Sequence, residues 1–545
     1  MTEAAYRRLA YEIPRVLVVE NDSRYRQLYA ERLEHWGYRP ISAQGYGQAL
    51  IDDALEMARL FRCHMALVDL RLLDEYDSEE RSGLELAKNL LPTRTILVSG
   101  FPDLGVVRDA LTDQTAVNFV GKWEGMKKLR QVLEKAAPEF CVYRRDLIIE
   151  VDPRIQDFNQ GFFPDRLEEI PLDEAADVLA RLFPTARHLR VDPIETDRRG
   201  PKDVPRPRSF ILHVSKDGLQ PEVVKLARAT KIRGEVERYQ EFIEGHLVGN
   251  FSPPIQHWDA LWDIGGTLYP SMGARKVRLF SDYYRDAPVE DIIFSLEQFF
   301  GTTWSLLYKN RPYGDDKKTV FKAYSQVWEP KWYHERVIGF KPLTPRETMP
   351  DLWNSLNVVE PISWLIEQVG HPERMPGTAL AVTHGDLHGD NMLVDDNRNV
   401  WVVDFERSGI GPICQDFTEL EADILTRLVS LKNEDYWPLY MLGVWVSKSL
   451  EIGDLPPAPA NLDDSMVKAM KVIRELRRLA SECTGEKDAR QYYWGLLLNI
   501  LFRATLLDRE AYPVRQMKAL MLGGIFCHRL DHWDQPWPPQ TWPST

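Results

Sequence analysis

HMALVDL, residues 64–70, sets four apolar side chains in a row and then breaks to an acid, Asp69. A short run with no polar alternation reads as a strand buried on both faces, the form that strands take in a parallel sheet. The same form recurs on either side. VLVVE (16–20) ends on Glu20, RTILVSG (94–100) carries Ser99 near its end, and AVNFVGK (116–122) ends on Lys122. Helical patterns lie between them: RYRQLYAERLEHW (24–36), GQALIDDALEMARLF (47–61) and GLELAKNLL (83–91). This alternation predicts a doubly wound α/β sheet, whose ligand site lies at the carboxyl ends of its strands.

Those strand ends gather a specific chemistry. VVEND supplies Glu20, Asn21 and Asp22; LVDL, LVSG and FVGK supply Asp69, Ser99 and Lys122. Carboxylates from two strands make a hard oxygen site suited to Mg²⁺. A hydroxyl and an ammonium beside them would hold the oxygens of a phosphoryl group on Asp69. Across residues 14–137 this order and spacing resemble the receiver domain of two-component response regulators. The resemblance implies Asp69 as phosphoacceptor, Glu20 as a metal ligand with Asn21 and Asp22 beside it, Ser99 as the switch hydroxyl, Phe119 as the switch aromatic and Lys122 as the phosphate-binding lysine. It also implies a sensor histidine kinase or phosphotransfer protein as partner. Two positions depart from the family pattern: Asn21 replaces the second acid of the usual pair, with Asp22 one place late, and Trp123 follows the lysine where proline is usual. An asparagine still offers a metal its carbonyl oxygen.

Taken whole, the chain has the composition of an ordinary multidomain protein. The chain has 545 residues, 44% hydrophobic and 28% charged, with a formal net charge of -14. That charge disfavours a general nucleic-acid or anionic-membrane binder. Five cysteines, at 63, 141, 414, 483 and 527, show no CxxC spacing, so neither a zinc site nor a disulfide framework is expected. MTEAAYRRLAYEIPR has no apolar core of a signal peptide and no run of eighteen apolar residues occurs, which predicts a cytoplasmic protein without a membrane span.

VTHGDLHGDN, residues 382–391, raises a second question, because two histidines, two acids, an asparagine and two glycines in ten places suit neither a core nor an ordinary loop. MLVDDNRNVWVVDFE (392–406) follows as a hairpin ending on Asp404. Phosphoryl transfer needs one carboxylate at the substrate hydroxyl, and an amide with a second carboxylate to hold Mg²⁺ against the nucleotide phosphates. Asp386, Asn391 and Asp404 supply that set in that order. HGDLHxxN followed by DFE resembles the aminoglycoside phosphotransferase and choline kinase-like branch of the protein-kinase-like fold. The resemblance implies Asp386 as catalytic base, Asn391 and Asp404 as Mg²⁺ ligands, ATP as phosphoryl donor, His384 as an orienter of the loop and Asp416 as a structural acid. It covers residues 180–430. Upstream, Lys225 in PEVVKLA is the expected nucleotide lysine, with Glu235 or Glu237 as its helix partner. No glycine-rich turn precedes SFILHVSKDG (209–218); TDRRGPKDVPRPR (196–208) offers Arg198, Arg199 and Lys202 in a proline-rich loop.

The expected fold is therefore multidomain α/β plus α+β. A flavodoxin-like receiver (1–137) and a linker (138–180) precede a bilobal kinase-like domain with an N-lobe (181–280) and a helical C-lobe (281–530). A Trp/Pro-rich tail (531–545) follows, to dock its tryptophans on the body of the protein or on a partner. The expected function is signal transduction, with a phosphorylatable receiver controlling an ATP- and Mg²⁺-dependent phosphotransferase that acts on a hydroxyl of a small molecule or a protein. The alternative is a pseudo-receiver and pseudokinase scaffold that binds nucleotide or a partner protein without turnover.

Overall fold

The computed structural model describes residues 6–9, 13–74, 80–100, 115–140, 147–155, 174–194, 209–247, 255–270, 277–309, 317–328, 360–430, 436–459, 463–506 and 513–540, with a few single positions between them. The chain divides into two units. One comprises Met1–Pro193, Pro205–Arg233 and Gln256–Tyr269; the other comprises Ile194–Val204, Gly234–Ile255 and Pro270–Thr545.

The first unit begins with β1 (Arg7–Leu9), then β2 (Arg15–Val19), β3 (Arg39–Ser42), β4 (Met65–Asp69), β5 (Arg94–Ser99) and β6 (Asn118–Gly121). The last five form a sheet in the order β3-β2-β4-β5-β6, parallel throughout. This is the doubly wound flavodoxin-type order, so the chain carries a receiver-like fold near its N-terminus. Helices α1 (Ser23–His35), α2 (Gln48–Leu60), α3 (Ser82–Asn89) and α4 (Gly125–Phe140) cover it. Successive strand residues face opposite ways. Val16, Val18, Leu67 and Val98 therefore pack with Tyr29, Leu33 and Leu133 on one face. Leu17, Val19, Val68 and Leu97 pack with Leu50, Ala54 and Leu86 on the other.

Within 138–180, expected to be a linker, the described residues include regular structure. They contribute the last residues of α4, strand β7 (Ile148–Val151) and most of helix α5 (Glu174–Leu182). With β8 (His188–Pro193), β9 (Ser209–Lys216), β10 (Glu222–Arg228), β11 (His257–Ala260) and β12 (Ile264–Tyr269) they make a second sheet, ordered β1-β7-β8-β9-β10-β12-β11. It is mixed: β7 and β8 run parallel and every other neighbouring pair antiparallel. Helix α5 buries Ala175, Val178, Leu179 and Leu182 against its strands. Since β1 pairs with β7, the receiver-like domain is inserted between two neighbouring strands of this sheet.

The second unit is mainly helical, with small sheets formed by β13 (Val277–Leu279), β14 (Lys318–Thr319), β15 (Gly377–Thr378), β16 (Leu380–Thr383), β17 (Met392–Asp395), β18 (Val400–Val402) and β19 (Gly409–Pro412). Helix α6 (Ala229–Arg238) leads into it, and α7 (Gln415–Asp423), α8 (Trp437–Val446), α9 (Asp464–Thr484), α10 (Ala489–Leu506) and α11 (Pro513–Asp531) form much of its body. The tail docks on this unit. Trp542 is buried, with its ring 6.0 Å from Tyr440 and 4.8 Å from His528, and Trp537 Nε1 donates to the Val444 carbonyl at 3.3 Å. Cys63, Cys414, Cys483 and Cys527 are buried free thiols. Among the described residues no helix is long and apolar enough to cross a membrane.

Candidate functional sites

The parallel order of the receiver-like sheet brings the carboxyl ends of β2, β4 and β6 together. Lys122 Nζ lies 2.8 Å from Asp69 Oδ2 and 2.8 Å from Glu20 Oε2. Burial alone would lower the pKa of Lys122, but the charges of Asp69 and Glu20 outweigh it and raise it. Burial, and then the Asp69 charge, push the Glu20 carboxyl up to about 7 against the opposing pull of Lys122. Two carboxylates thus share one ammonium. Tyr25 sits beneath that ammonium, its ring centroid 4.9 Å from Nζ.

The residues of VVEND separate in role. Asn21 donates from Nδ2 to the Arg71 carbonyl at 2.9 Å, while its Oδ1 is buried with no hydrogen-bond partner. Asp22 caps α1, accepting from Arg24 N at 2.8 Å, and pairs with the Arg24 guanidinium at 2.7 Å; these bonds hold its carboxyl down at about 2. Asp22 thereby serves the start of α1. Ser99 is buried at the end of β5, in register with Gly121, and Phe119 packs against the α2-side core. Gly83 of α3 is placed so that a Cβ there would lie 2.0 Å from the Asp69 carbonyl oxygen, which only glycine allows.

The donor set fits a small hard cation. Glu20, Asp69 and the orphaned Asn21 oxygen offer two carboxylates and a carbonyl, and Mg²⁺ commonly takes one or two carboxylates and completes its shell with water and phosphate oxygens. Among the described residues no cluster of three or more His, Cys, Asp or Glu could hold a metal, so a more demanding cage is not built.

In the second unit, β16 delivers the chain into His384–Asn391, and Asp416 organises the turn. Buried on α7, it accepts from His384 N (3.0 Å), Gly385 N (3.0 Å) and the Tyr308 hydroxyl (2.9 Å). Gly385 has φ +77, and a Cβ there would meet the Arg407 carbonyl oxygen at 2.3 Å. His384 Nε2 lies 3.2 Å from the Val403 carbonyl oxygen, tying the loop to the chain just before Asp404. Asn391 donates from Nδ2 to the Asp386 carbonyl at 2.8 Å.

Asp404 stands in the left-handed region, φ +74. Its N–H and that of Phe405 both donate to Glu235 Oε1, at 3.1 and 3.3 Å. Glu235 is buried and Glu237 exposed, so Glu235 is the inward acid of the two. Lys225 is fully buried on β10 in the first unit, opposite Thr267 and Ile211. Arg198, Arg199 and Lys202 lie outside the described residues.

Charges not anticipated from sequence surround the loop. Burial disfavours the Asp386 carboxylate, yet Arg407, 3.4 Å away, and then His388 hold its pKa below the usual range. Burial lowers the pKa of His388, and its Nδ1 accepts from Asp390 N at 3.2 Å, a loop contact. Asp423 accepts from Gly389 N at 2.9 Å and pairs with Arg427 and Arg503, while Arg427 also reaches Asp390. Asp423 and Arg427 stand four apart, a spacing that signals a helix-face pair; their burial beneath the loop has no such local mark.

A receiver-like domain and, separately, a loop of Asp386, Asn391 and Asp404 are what the fold and geometry define. Residues 344–504, which contain that loop, match the family model described as ternary complex associated domain 9. No curated protein matches the chain. Among solved structures, the signal receiver domain of a Vibrio parahaemolyticus protein is 20% identical, covering 24% of this chain and 99% of its own, with a TM-score of 0.20. The chemotaxis protein CheY4 of Vibrio cholerae is 18% identical over 23% of this chain and 98% of its own, with a TM-score of 0.19. A response regulator from Thermotoga maritima is 17% identical over 23% and 99%, with a TM-score of 0.18.

Proposed function

We propose that this is a signal-transduction protein in which phosphorylation of Asp69 controls an ATP- and Mg²⁺-dependent phosphotransferase acting on a hydroxyl. The observation that carries the second half of this reading is the tie between Asn391 and Asp386, with Asp404 held in a left-handed conformation by Glu235. Strained backbone of this kind persists where surrounding bonds over-determine it, and it gathers at functional sites.

In this reading Asp386, kept ionised by Arg407, accepts the proton of the acceptor hydroxyl. Asn391 and Asp404 hold Mg²⁺, which when bound neutralises charge on the ATP phosphates. Asp416 fixes the loop through His384 and Gly385 and takes no part in the chemistry. In the receiver-like domain Asp69 accepts the phosphoryl group from a sensor histidine kinase or phosphotransfer protein, Lys122 and Ser99 hold its oxygens, and Glu20 with Asn21 holds Mg²⁺. The acidic chain acts in the cytoplasm on a small molecule or a protein, without nucleic acid.

A second reading, a scaffold that binds without turnover, draws on Arg407: its contact with Asp386 also occupies part of the carboxylate that a hydroxyl would need. ATP consumption by the purified chain with Mg²⁺, against Asp386→Ala and Asp404→Ala, decides between them. Activity lost in both variants supports the phosphotransferase. Mg·ATP binding without turnover, tested with the receiver loaded and unloaded, supports the scaffold, and activity equal in all three proteins defeats the first reading.

A further inference from the structure

The receiver-like domain is mounted by the end of its sheet remote from Asp69. Strand β4 has Asp69 at its carboxyl end and follows directly on Arg62, Cys63 and His64. Those three residues meet helix α5 and the turn between β11 and β12. Arg62 reaches Asp263 Oδ2 from Nη2 at 2.5 Å, and its Nε lies 2.9 Å from Glu174 Oε1. His64 Nε2 lies 3.1 Å from Asp177 Oδ2. Trp262 donates from Nε1 to the Cys63 carbonyl at 3.2 Å, and its indole packs against the α2-side core of the receiver-like sheet. Arg62 holds φ +46, a strained value for a residue with a side chain, and its carbonyl accepts from the Arg15 guanidinium at 3.3 Å.

The same turn is wired to the strand that carries Lys225. Glu174 Oε2 accepts from Asp263 N at 2.9 Å and Ile264 N at 3.2 Å. The Asp263 carbonyl accepts from Ala229 N, at the end of β10, at 2.8 Å. Asp263 is followed directly by β12, which pairs with β10 along its length and sets Thr267 opposite Lys225. The chain also enters and leaves the receiver-like domain through β1 and β7, neighbours in that sheet. A buried ion cluster, a tryptophan and two chain crossings therefore join one end of β4 to the sheet holding Lys225.

We infer that the receiver-like domain signals through the base of its phosphoacceptor strand: a change at Asp69 is passed along β4 to the Arg62–Asp263 contact and from there to the β10–β12 pair around Lys225. The direction of signalling rests on Asp69 being the phosphoacceptor; the mechanical link does not. Coupling between two sites is reciprocal, so the state of β10 and β12 also biases Asp69.

Hydrogen exchange on the full chain tests this, with beryllofluoride and Mg²⁺ as the phosphoryl stand-in at Asp69. In the parent, beryllofluoride should alter exchange in peptides covering 222–228 and 264–269 by roughly threefold or more, a change in local opening. In Arg62→Ala, and in the milder Asp263→Asn should Arg62→Ala fail to fold, that response should vanish while the response beside Asp69 remains. A parent that responds beside Asp69 and not at β10 and β12, or a variant that keeps the distant response, overturns the inference. Should nothing respond beside Asp69, the phosphoacceptor reading fails, and the variants alone then decide the link. Faster exchange in both 64–69 and 264–269 upholds it, and faster exchange confined to the contact overturns it.

Discussion

Asn391 spends its amide nitrogen on the main chain of Asp386, 2.8 Å away, five residues earlier in the loop. The amide oxygen is left for a ligand, and the bond closes the turn that presents Asp386. Asn391→Ala should remove both effects, and Asn391→Asp should keep an oxygen ligand while losing the donor. The measurement is the Mg²⁺-dependent part of the thermal shift caused by ATP. A ligand at a hundredfold excess over Kd stabilises by roughly 2.7 kcal/mol. We expect that increment in the parent, a partial one in Asn391→Asp and none in Asn391→Ala. An unchanged increment in Asn391→Ala would remove Asn391 from the metal site.

Gly83 carries a different kind of constraint, since any Cβ there collides with the carbonyl oxygen of Asp69 at 2.0 Å. The clash is with backbone, so no rotamer relieves it. Gly83→Ala should push α3 from β4 and cost about 1–3 kcal/mol, the range for overpacked sites. Denaturant unfolding of the full chain should show the loss in the transition reporting the receiver-like domain. Stability equal to the parent would mean that the helix has room the structure does not show.

What was legible in the sequence follows from these two sites. The strands of the receiver-like sheet are buried on both faces, so their apolar runs stand out, and the topology alone then carries Glu20, Asp69 and Lys122 to one rim. The HGDLHGDN loop was legible because its side chains serve nearby backbone and a local hairpin. Strand β7 was not: it has four residues, and one of its partners, β1, lies more than a hundred positions earlier, so no local pattern marks the pairing. The role of Asp22 was within reach, because an acid directly before a helical run is an N-cap signal. Arg407, Arg427 and Arg503 carry no local mark in the sequence of the buried acids that folding places them around.

Arg477 and Glu421 form a fully buried pair, bonded at 2.9 Å and 2.5 Å, with Tyr492 donating to Glu421 at 2.8 Å and the Val446 carbonyl accepting from Arg477 at 2.6 Å. Removing one partner strands a charge in the core, which costs about 3–5 kcal/mol, whereas replacing both with apolar residues is often neutral. Arg477→Ala should therefore destabilise the second unit strongly, and Arg477→Met with Glu421→Leu should recover much of the loss. Thermal unfolding of the two variants and the parent checks it; a double variant no better than Arg477→Ala would mean that packing around the guanidinium, rather than the stranded carboxylate, sets the cost.

His528 links the tail to pH. Its ring lies 4.2 Å from His532, 4.8 Å from Trp542 and 5.9 Å from Trp537, and burial, then the neighbouring His532, lower its pKa to about 4. An unfolded histidine titrates near 6.5, so between about 6.5 and 4 the unfolded chain binds a proton that the folded one refuses. The stabilisation from a neutral His528 is thus complete above about 6.5 and is lost as pH falls through that window. The shift corresponds to at most ~3 kcal/mol, and to less for the part of the ring that water reaches. Trp542 and Trp537 rest on this ring, so acidification should loosen the tail first and shift tryptophan emission before the rest of the unit unfolds. His528→Phe keeps an aromatic ring without the titration and should flatten the dependence. If the emission of the parent and His528→Phe changes identically with pH, His528 is not the group that governs the docking of the tail.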